Sequence, residues 1–337
     1  MLIGISPIRI SFAGGGTDLP EYYEKFGGNV VTSAISRFTY VIIQNRVDNS
    51  FQAFSPDFGS HHKPSKFNKI EHLTGTEIAT SAIKYFKYDK GINIIIFSDV
   101  PGGSGLGASS SLMVNTVKML STLTKKNFTN EKIAETAFHI SRKFLHWPVG
   151  KQDEYISSFG GFNFIEFNKE KTKVTPIKMK KKSVLELQNN LLLFFIGHTR
   201  DSSKILVNQI DRIEKNNAET IDSLHYVQNL AKDMKNSLQK SDLTQFGMLL
   251  HNGWNMKKKF TKNVTTDHID KIYDIALKNG VIGGKLTGAG GGGHMLFYCE
   301  QPKQKKVIKE MSKLGIKKID FKFHSDGAKI MDTYNHF

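Results

Sequence analysis

Apolar and polar positions along this chain follow two different periods, and the period changes several times. Ile3–Phe12 alternates loosely and Thr39–Val47 ("TYVIIQNRV") is rich in β-branched residues, so both predict strands. "INIIIFSDV" (Ile92–Val100) and "LLLFFIG" (Leu191–Gly197) are short unbroken apolar runs, the pattern of buried strands. "GGFNFIEF", with Phe162, Phe164 and Phe167 among its apolar positions, "MLFYC" and Ile319–His324 complete the predicted strands. Helical spacing appears at Ile78–Phe86 and again in Leu112, Met113, Thr116, Val117, Leu120 and Leu123. It recurs in "NEKIAETAFHISRKFL", with Thr129 or Asn130 as its cap. Further helices are predicted at 202–217, 218–239, 242–260, 266–279 and 302–314, the fourth stopped by Asn279-Gly280 and the last opened by Pro302. The polar, lysine-rich segment Asn168–Ser183 is the candidate boundary between two lobes of similar size. The expected class is α+β.

Composition narrows this picture. A chain of 337 residues exceeds the usual single core, and 39% apolar with 11% aromatic content supplies enough material for two. No apolar run approaches the roughly 18 residues of a membrane span. The N-terminus lacks the charged start, apolar middle and small-residue cleavage site of a signal peptide. The single Cys299 forms neither an internal disulfide nor a zinc site by itself. A cytoplasmic protein without a membrane partner is expected.

Net charge is +16, from 47 basic and 31 acidic residues, which favours anionic partners. The lysines are dispersed (Lys180–Lys182, Lys257–Lys259, Lys303–Lys309, Lys317–Lys318) and read as solvated faces. No zinc-finger spacing or other nucleic-acid signature accompanies them, so no nucleic-acid partner is expected.

Three glycine clusters carry the candidate chemistry. They are "RISFAGGGTD" (Arg9–Asp18), "PGGSGLGASSS" (Pro101–Ser111) and "KLTGAGGGG" (Lys285–Gly293), each beside strand-like sequence. Glycines let backbone N–H groups approach a ligand and point the same way. Such a nest, leading into a helix N-terminus, attracts phosphate. In the second cluster a strand, Pro101, glycines, three serines and a helix form an ordered unit, and the serine hydroxyls suit phosphate or Mg²⁺. It lacks G-x-x-x-x-G-K-[ST], and its glycines do not space as G-x-G-x-x-G, which excludes the usual P-loop and disfavours a dinucleotide site.

These residues resemble the GHMP small-molecule kinases. The family's second motif, P-x-x-x-G-L-G-S-S-A, is met by Pro101, Gly105, Leu106 and Gly107. The first motif of galactokinases, R-x-N-L-I-G-E-H-T-D, is met by Arg9, Gly14, Thr17 and Asp18. The glycine run Lys285–Gly293 stands as the third motif, and "GKQDEYISSFGG" (Gly150–Gly161) resembles the family's G-x-x-D segment. All four occur in family order over nearly the whole chain. Within the family the resemblance runs furthest with heptose 7-phosphate kinases, through "SFAGGGTD", "GKQDEY", "FGGFNFIEF", "LHNGWNMKK" and "GGKLTGAGGGG".

The resemblance implies a two-lobed GHMP kinase fold: an N-terminal ribosomal-protein-S5-like α/β domain over 1–183 carrying the ATP phosphate loop, and a C-terminal ferredoxin-like α+β domain over 184–337 carrying the third motif. It implies ATP and Mg²⁺ as cofactors, and transfer of the γ-phosphoryl group to the anomeric O1 of D-glycero-D-manno-heptose 7-phosphate. A kinase for fucose, galactose or another heptose is the neighbouring reading. A non-catalytic basic binding protein on the same fold is the reading from another class. Monomer and homodimer are both compatible.

Roles follow from the resemblance residue by residue. Asp153 is the candidate base, facing the attacking hydroxyl. Lys151, two residues earlier, either depresses the Asp153 pKa or is solvated. Arg9 is placed near the transferred phosphoryl group, where charge neutralisation matters most; the plainer alternative is a structural strand-end arginine. Asp18 accepts sugar hydroxyls or caps the helix suggested by "LPEYYEKF". ATP phosphates are assigned to Pro101, Gly102, Gly103, Ser104, Gly105, Leu106, Gly107, Ala108, Ser109, Ser110 and Ser111. Gly14, Gly15, Gly16, Thr17, Gly288, Ala289, Gly290 and Gly291 join Asp18 around the sugar. Where galactokinases carry Glu-His, this chain has Gly15-Gly16, which enlarges the pocket and removes a negative charge.

The sugar's own phosphate needs a receptor, for which Thr199, Arg200, Ser202, Ser203 and Lys204 in "GHTRDSSK" are candidates, with His198 supporting the loop. Two positions depart from the family. Ala108 replaces the first serine of the second motif, and Ser141-Arg142 stands where many members place "ER", whose glutamate binds Mg²⁺. Ser109 is then the candidate Mg²⁺ ligand, aided by phosphates and water. Leu249, His251, Trp254 and Lys257 share helical spacing and read as core plus a solvated end, although the resemblance places this helix beside the sugar pocket.

Overall fold

The computed structural model describes residues 1–70, 74–197 and 202–332. The first lobe grows from a long antiparallel pair. β1 (Leu2–Ala13) leads through α1 (Pro20–Phe26) into β2 (Gly28–Asn45), and the two pair along most of their length. β3 (Phe51–Ser55) and β4 (Ser60–Ser65) form a hairpin, and α2 (Glu77–Phe86) precedes β5 (Ile92–Ser98). Then come α3 (Ala108–Leu123), α4 (Asn130–Lys143) and the short α5 (Gln152–Phe159). A second hairpin, β6 (Phe162–Phe167) with β7 (Thr172–Pro176), closes the lobe.

β2 is the axis of this sheet. Its first half pairs with β6 and its second half with β5, while β1 lies along its other edge. Among the described residues only β3 and β5 run parallel. α2, α3 and α4 cover one face through Val41, Ile43, Ile94, Met113 and Val117.

The second lobe opens with α6 (Lys181–Asn190) and β8 (Leu191–Phe195). Four helices follow: α7 (Ser202–Glu214), α8 (Ala218–Lys240), α9 (Leu243–Lys257) and α10 (Asp267–Lys278). β9 (Gly283–Leu286), β10 (His294–Tyr298), α11 (Gln301–Lys313) and β11 (Lys317–Ile319) complete an antiparallel sheet of order β11-β8-β10-β9. That order is ferredoxin-like. Its apolar runs are unbroken because both faces are buried. Leu192, Phe194, Met295 and Phe297 pack against Tyr273, Val307 and Met311, while Leu191, Leu193, Leu296 and Tyr298 face the other way. That second face joins Ile8, Ile10 and Phe12 of β1 and Met234, Leu238 and Phe246 of α8 and α9 in one core. The lobes therefore share apolar packing.

The structure departs from expectation at several places. β2 begins at Gly28 rather than near residue 39, and α5 occupies a segment in which no helix was expected. The segment 168–183 is not a bare linker, because it holds β7 and the start of α6. Finally, β12 (Lys329–Asp332) returns to pair antiparallel with β1, so residues 184–337 do not all belong to the second lobe. The strand expected at Ile319–His324 does not form as such: β11 ends at Ile319, and beyond it Phe323 makes an isolated bridge to Ile35. No described helix is long and apolar enough to cross a membrane.

Candidate active site

One open cleft between the lobes is lined by all three glycine clusters. Its wall on the first lobe is the start of α3. Gly107 occupies the N-cap with φ of 77° and offers no side-chain cap. The first helical bond is Ser111 N–H to Gly107 O, so the N–H groups of Ala108, Ser109 and Ser110 have no partner within the helix. These donors and the helix dipole give this wall a positive potential. A Cβ at Gly107 would lie 2.8 Å from Asp153 Oδ2, so glycine is needed where the loop passes the carboxylate.

Asp153, in the first turn of α5, is held by Arg9 of β1. Arg9 Nε donates to Asp153 Oδ1 at 2.6 Å and Nη2 to Oδ2 at 2.7 Å, while Nη1 donates to Gly105 O at 2.7 Å. The pair is bidentate, and its side chains are only 5% and 19% exposed. Each carboxylate oxygen retains a further acceptor position toward the cleft.

Asp18 sits beside this pair. It does not cap α1, whose N-cap is Leu19. Its Oδ1 accepts from Gly16 N–H at 2.9 Å and its Oδ2 from Gln152 N–H at 3.3 Å. Burial, reinforced by the negative charge of Asp153, pushes its pKa up.

The second lobe contributes cations. Lys257, at the end of α9, is 8% exposed and donates to Leu286 O at 3.0 Å and to Gly288 O. Lys285 of β9 is 7% exposed and donates to Phe12 O at 3.3 Å. Burial pulls both ammonium groups down, Lys285 to about 7, and Arg9 pulls each down further. Behind Ser110 lies Glu154, fully buried, whose Oε1 accepts from Ser110 Oγ at 2.9 Å. Burial and the neighbouring Asp153 push its carboxyl up to about 8.

The expected residues divide. Arg9, Gly15, Gly16, Asp18, Gly103, Ser104, Gly105, Gly107, Ala108, Ser109, Ser110, Asp153, Gly288, Ala289 and Gly290 line the cleft together. Others stand apart from it. Lys151 turns away to Glu135 at 2.8 Å and lies against the Tyr23 and Phe138 rings, so it does not act on Asp153. Thr17 Oγ1 donates to Gly14 O and Asn29 O, which fixes the turn of the first cluster beneath the cleft. Ser111 is buried against Ser6 O and Pro7 O, and Leu106 belongs to the core. Pro101 and Gly102 are exposed and do not line the cleft, Gly102 lying beside Phe58, and Gly291 N–H is spent on Val264 O. His198, Thr199 and Arg200 lie outside the described residues.

Sequence reasoning missed the burial of Lys257, Lys285 and Glu154. The sequence places Lys257 on a solvated face, and the "KKK" spelling hides its inward turn at the helix end. Among the described residues, no three His, Cys, Asp or Glu side chains gather as a metal site. Ser141 is buried, and Arg142 pairs with Glu21. Among the described residues the carboxylates lining the cleft are Asp18 and Asp153, the last already bound by Arg9, and Ser109 is one of several hydroxyl side chains there.

Comparisons with known proteins agree with this geometry. Residues 77–161 match the model of the GHMP kinases N-terminal domain, and 234–317 that of the GHMP kinases C-terminal domain. A D-glycero-alpha-D-manno-heptose 7-phosphate kinase of Campylobacter jejuni is 31% identical over 96% of this chain and 97% of its own. The crystal structure of a D-glycero-D-manno-heptose 1-phosphate kinase from Bacteroides thetaiotaomicron is 26% identical. It superposes with a TM-score of 0.83 over 99% of this chain and 100% of that one. Lactococcus lactis galactokinase with galactose shares the fold at a TM-score of 0.77 and 20% identity, over 97% and 95% of the two chains.

Proposed function

The chain belongs to the GHMP kinase family and is a sugar kinase, and from that premise we propose that its acceptor is a heptose 7-phosphate, phosphorylated by ATP at the anomeric hydroxyl. The carrying observation is the meeting, in one cleft, of the uncapped α3 N-terminus with the Arg9–Asp153 pair. The triphosphate lies along Gly103–Ser110, where unpaired N–H groups and the helix dipole favour it. The sugar occupies the opposite end, between Gly15-Gly16 and Asp18 on one lobe and Gln209 and Phe260 on the other.

Asp153 accepts the proton of the anomeric hydroxyl as that oxygen bonds to the γ-phosphorus. The bond from phosphorus to the β–γ bridging oxygen breaks, and ADP leaves. An anomeric hydroxyl is more acidic than an ordinary alcohol, which eases the proton transfer. Arg9 fixes the carboxylate and adds positive charge beside the transferred group, where positioning and neutralisation provide most of the catalysis. Mg²⁺, held by the nucleotide phosphates, water and Ser109, would supply further neutralisation of the triphosphate. Of the two carboxylates in the cleft, Asp153 is held by Arg9 and Asp18 by the Gly16 and Gln152 N–H groups.

A coupled ADP-release assay tests this reading. Heptose 7-phosphate, heptose 1-phosphate, free heptose and free or phosphorylated hexoses are compared as acceptors. The highest kcat/KM is expected with heptose 7-phosphate. Preference for an unphosphorylated hexose would overturn the acceptor assignment.

A further inference from the structure

Lys257 and Lys285 are built into the floor of the cleft without a counter-ion. Among the described residues, neither has a carboxylate within ion-pair distance, although a lone buried cation is costly. They lie close enough for Lys285 to depress Lys257, and both feel the positive charge of Arg9. Asp18 is the carboxylate that favours the charged form of Lys285, and it ranks behind burial and Arg9. Burying three cations side by side makes sense if an anion completes the set.

Position identifies that anion. Lys257 is anchored on the carbonyls of Leu286 and Gly288, and the Gly288 backbone lies against Gly105 of the phosphate loop. Lys285 reaches Phe12 O, on the strand that carries Arg9. The pair therefore lines the same cleft as the phosphate loop and the Arg9–Asp153 pair, which touch each other through Arg9 Nη1 and Gly105 O, and it stands beside the path of the group in transfer. We propose that Lys257 and Lys285 are catalytic residues that contact the γ-phosphoryl group of ATP as it passes to the acceptor. Two ammonium groups there neutralise the phosphoryl oxygens in a cleft that offers a divalent cation few carboxylate ligands.

Resting as it does on the kinase reading above, the pair is tested first by nucleotide binding alone, which requires no acceptor. Affinities for β,γ-imido-ATP and for ADP are measured by calorimetry in the wild type, Lys257→Met and Lys285→Met. Each variant is expected to lose at least tenfold in affinity for the imido analogue, with ADP within about threefold. Each should also gain thermal stability, because a buried uncompensated cation is removed. kcat should fall at least 100-fold with little change in acceptor KM, and Lys285→Arg should recover part of it.

An unchanged ratio of imido-ATP to ADP affinity in both variants overturns the proposal. So does a loss confined to the KM of phosphorylated acceptors, which would make the pair a receptor for the sugar's own phosphate. Lower thermal stability with equal losses for both nucleotides also overturns it, since Lys257 would then merely brace the Leu286–Gly288 turn. A wild type that prefers another acceptor changes the proposed substrate and leaves the binding arm standing.

Discussion

Replacing Asp153 by Asn separates its two jobs. The substitution preserves shape and one acceptor oxygen but removes the charge and turns an amide N–H₂ toward the Arg9 guanidinium. Arg9, whose side chain is 5% exposed, keeps Gly105 O and loses one of its two carboxylate bonds. Removing one partner of a buried pair costs about 3–5 kcal/mol, and the retained bonds place this case near the lower end. A domain stabilised by about 5–15 kcal/mol remains folded, with a lower Tm. Catalysis suffers separately. A positioned general base is worth about 10²–10⁴ in rate, or about 2.7–5.4 kcal/mol of barrier at about 1.36 kcal/mol per decade. The expected result in the ADP-release assay is a kcat at least 100-fold below wild type. Nucleotide Kd should stay within about threefold, because the phosphate wall of α3 does not include this side chain. A variant that melts earlier yet turns over within tenfold of wild type would refute the base assignment and leave Asp153 as a brace for Arg9.

Three other substitutions probe the same neighbourhood. Glu154 has a folded-state pKa of about 8 against an ordinary value of 4.5, so between those values the fold holds a proton that the unfolded chain has released. Its stabilising contribution is fully present below about pH 4.5 and is lost as pH rises toward 8, by up to about 1.4 kcal/mol per pH unit. Glu154→Gln should flatten that slope, and thermal melts from pH 5 to 9 that fall in parallel for both proteins would contradict the assignment. Lys151→Met removes the bond to Glu135, 37% exposed in its side chain, and should cost no more than about 1 kcal/mol in denaturant melts with kcat within threefold of wild type. Gly15→Glu restores the charge that galactokinases carry there; the new Cβ meets nothing closer than 3.4 Å, so the fold should accept it. Two like unit charges about 10 Å apart repel by about 1.7 kcal/mol at an effective dielectric of about 20, so a phosphate bound within that range raises KM for heptose 7-phosphate more than tenfold and leaves KM for free heptose much less changed.

How far the sequence disclosed this molecule depended on whether a feature was local. "LLLFF" and "MLFY" were legible as strands because both faces of the second sheet are buried and nothing interrupts the run. Thr129 was legible as a cap, and its hydroxyl accepts from Lys132 N–H at 3.2 Å. The first half of β2, "GNVVTSAISRF", mixes Val30, Val31 and Ile35 with Gly, Asn, Thr and Ser without a period of two, and it becomes a strand because β1 and β6 flank it. α5 has eight residues, no side-chain cap and two following glycines, too little for periodicity to register. β12 is defined by a partner more than three hundred positions away. Among the residues that line the cleft, Arg9, Asp18, Asp153 and Ser109 are picked out by motifs. The burial of Lys257 and Lys285 is not, because it depends on carbonyls distant in sequence, Leu286 and Gly288 for one and Phe12 for the other.

The glycine clusters illustrate the same division in a less obvious way. Sequence reasoning assigns their bareness to the ligand, so that amides reach phosphate unhindered. Gly107 fits that account. Gly105 and Gly288 fit a different one. A Cβ on Gly288 would lie 2.5 Å from Gly105 Cα, and a Cβ on Gly105 would lie 2.7 Å from Thr287 O. Each would meet backbone, which cannot swing aside as a flexible side chain does. Gly293 repeats the relation, with Ser104 O at 2.5 Å from its missing Cβ. These positions are bare because the phosphate loop of one lobe and the glycine turn of the other touch main chain to main chain. That contact sets how near Lys257 and Lys285 stand to the α3 N-terminus. The second and third clusters therefore constrain each other as much as either constrains ATP.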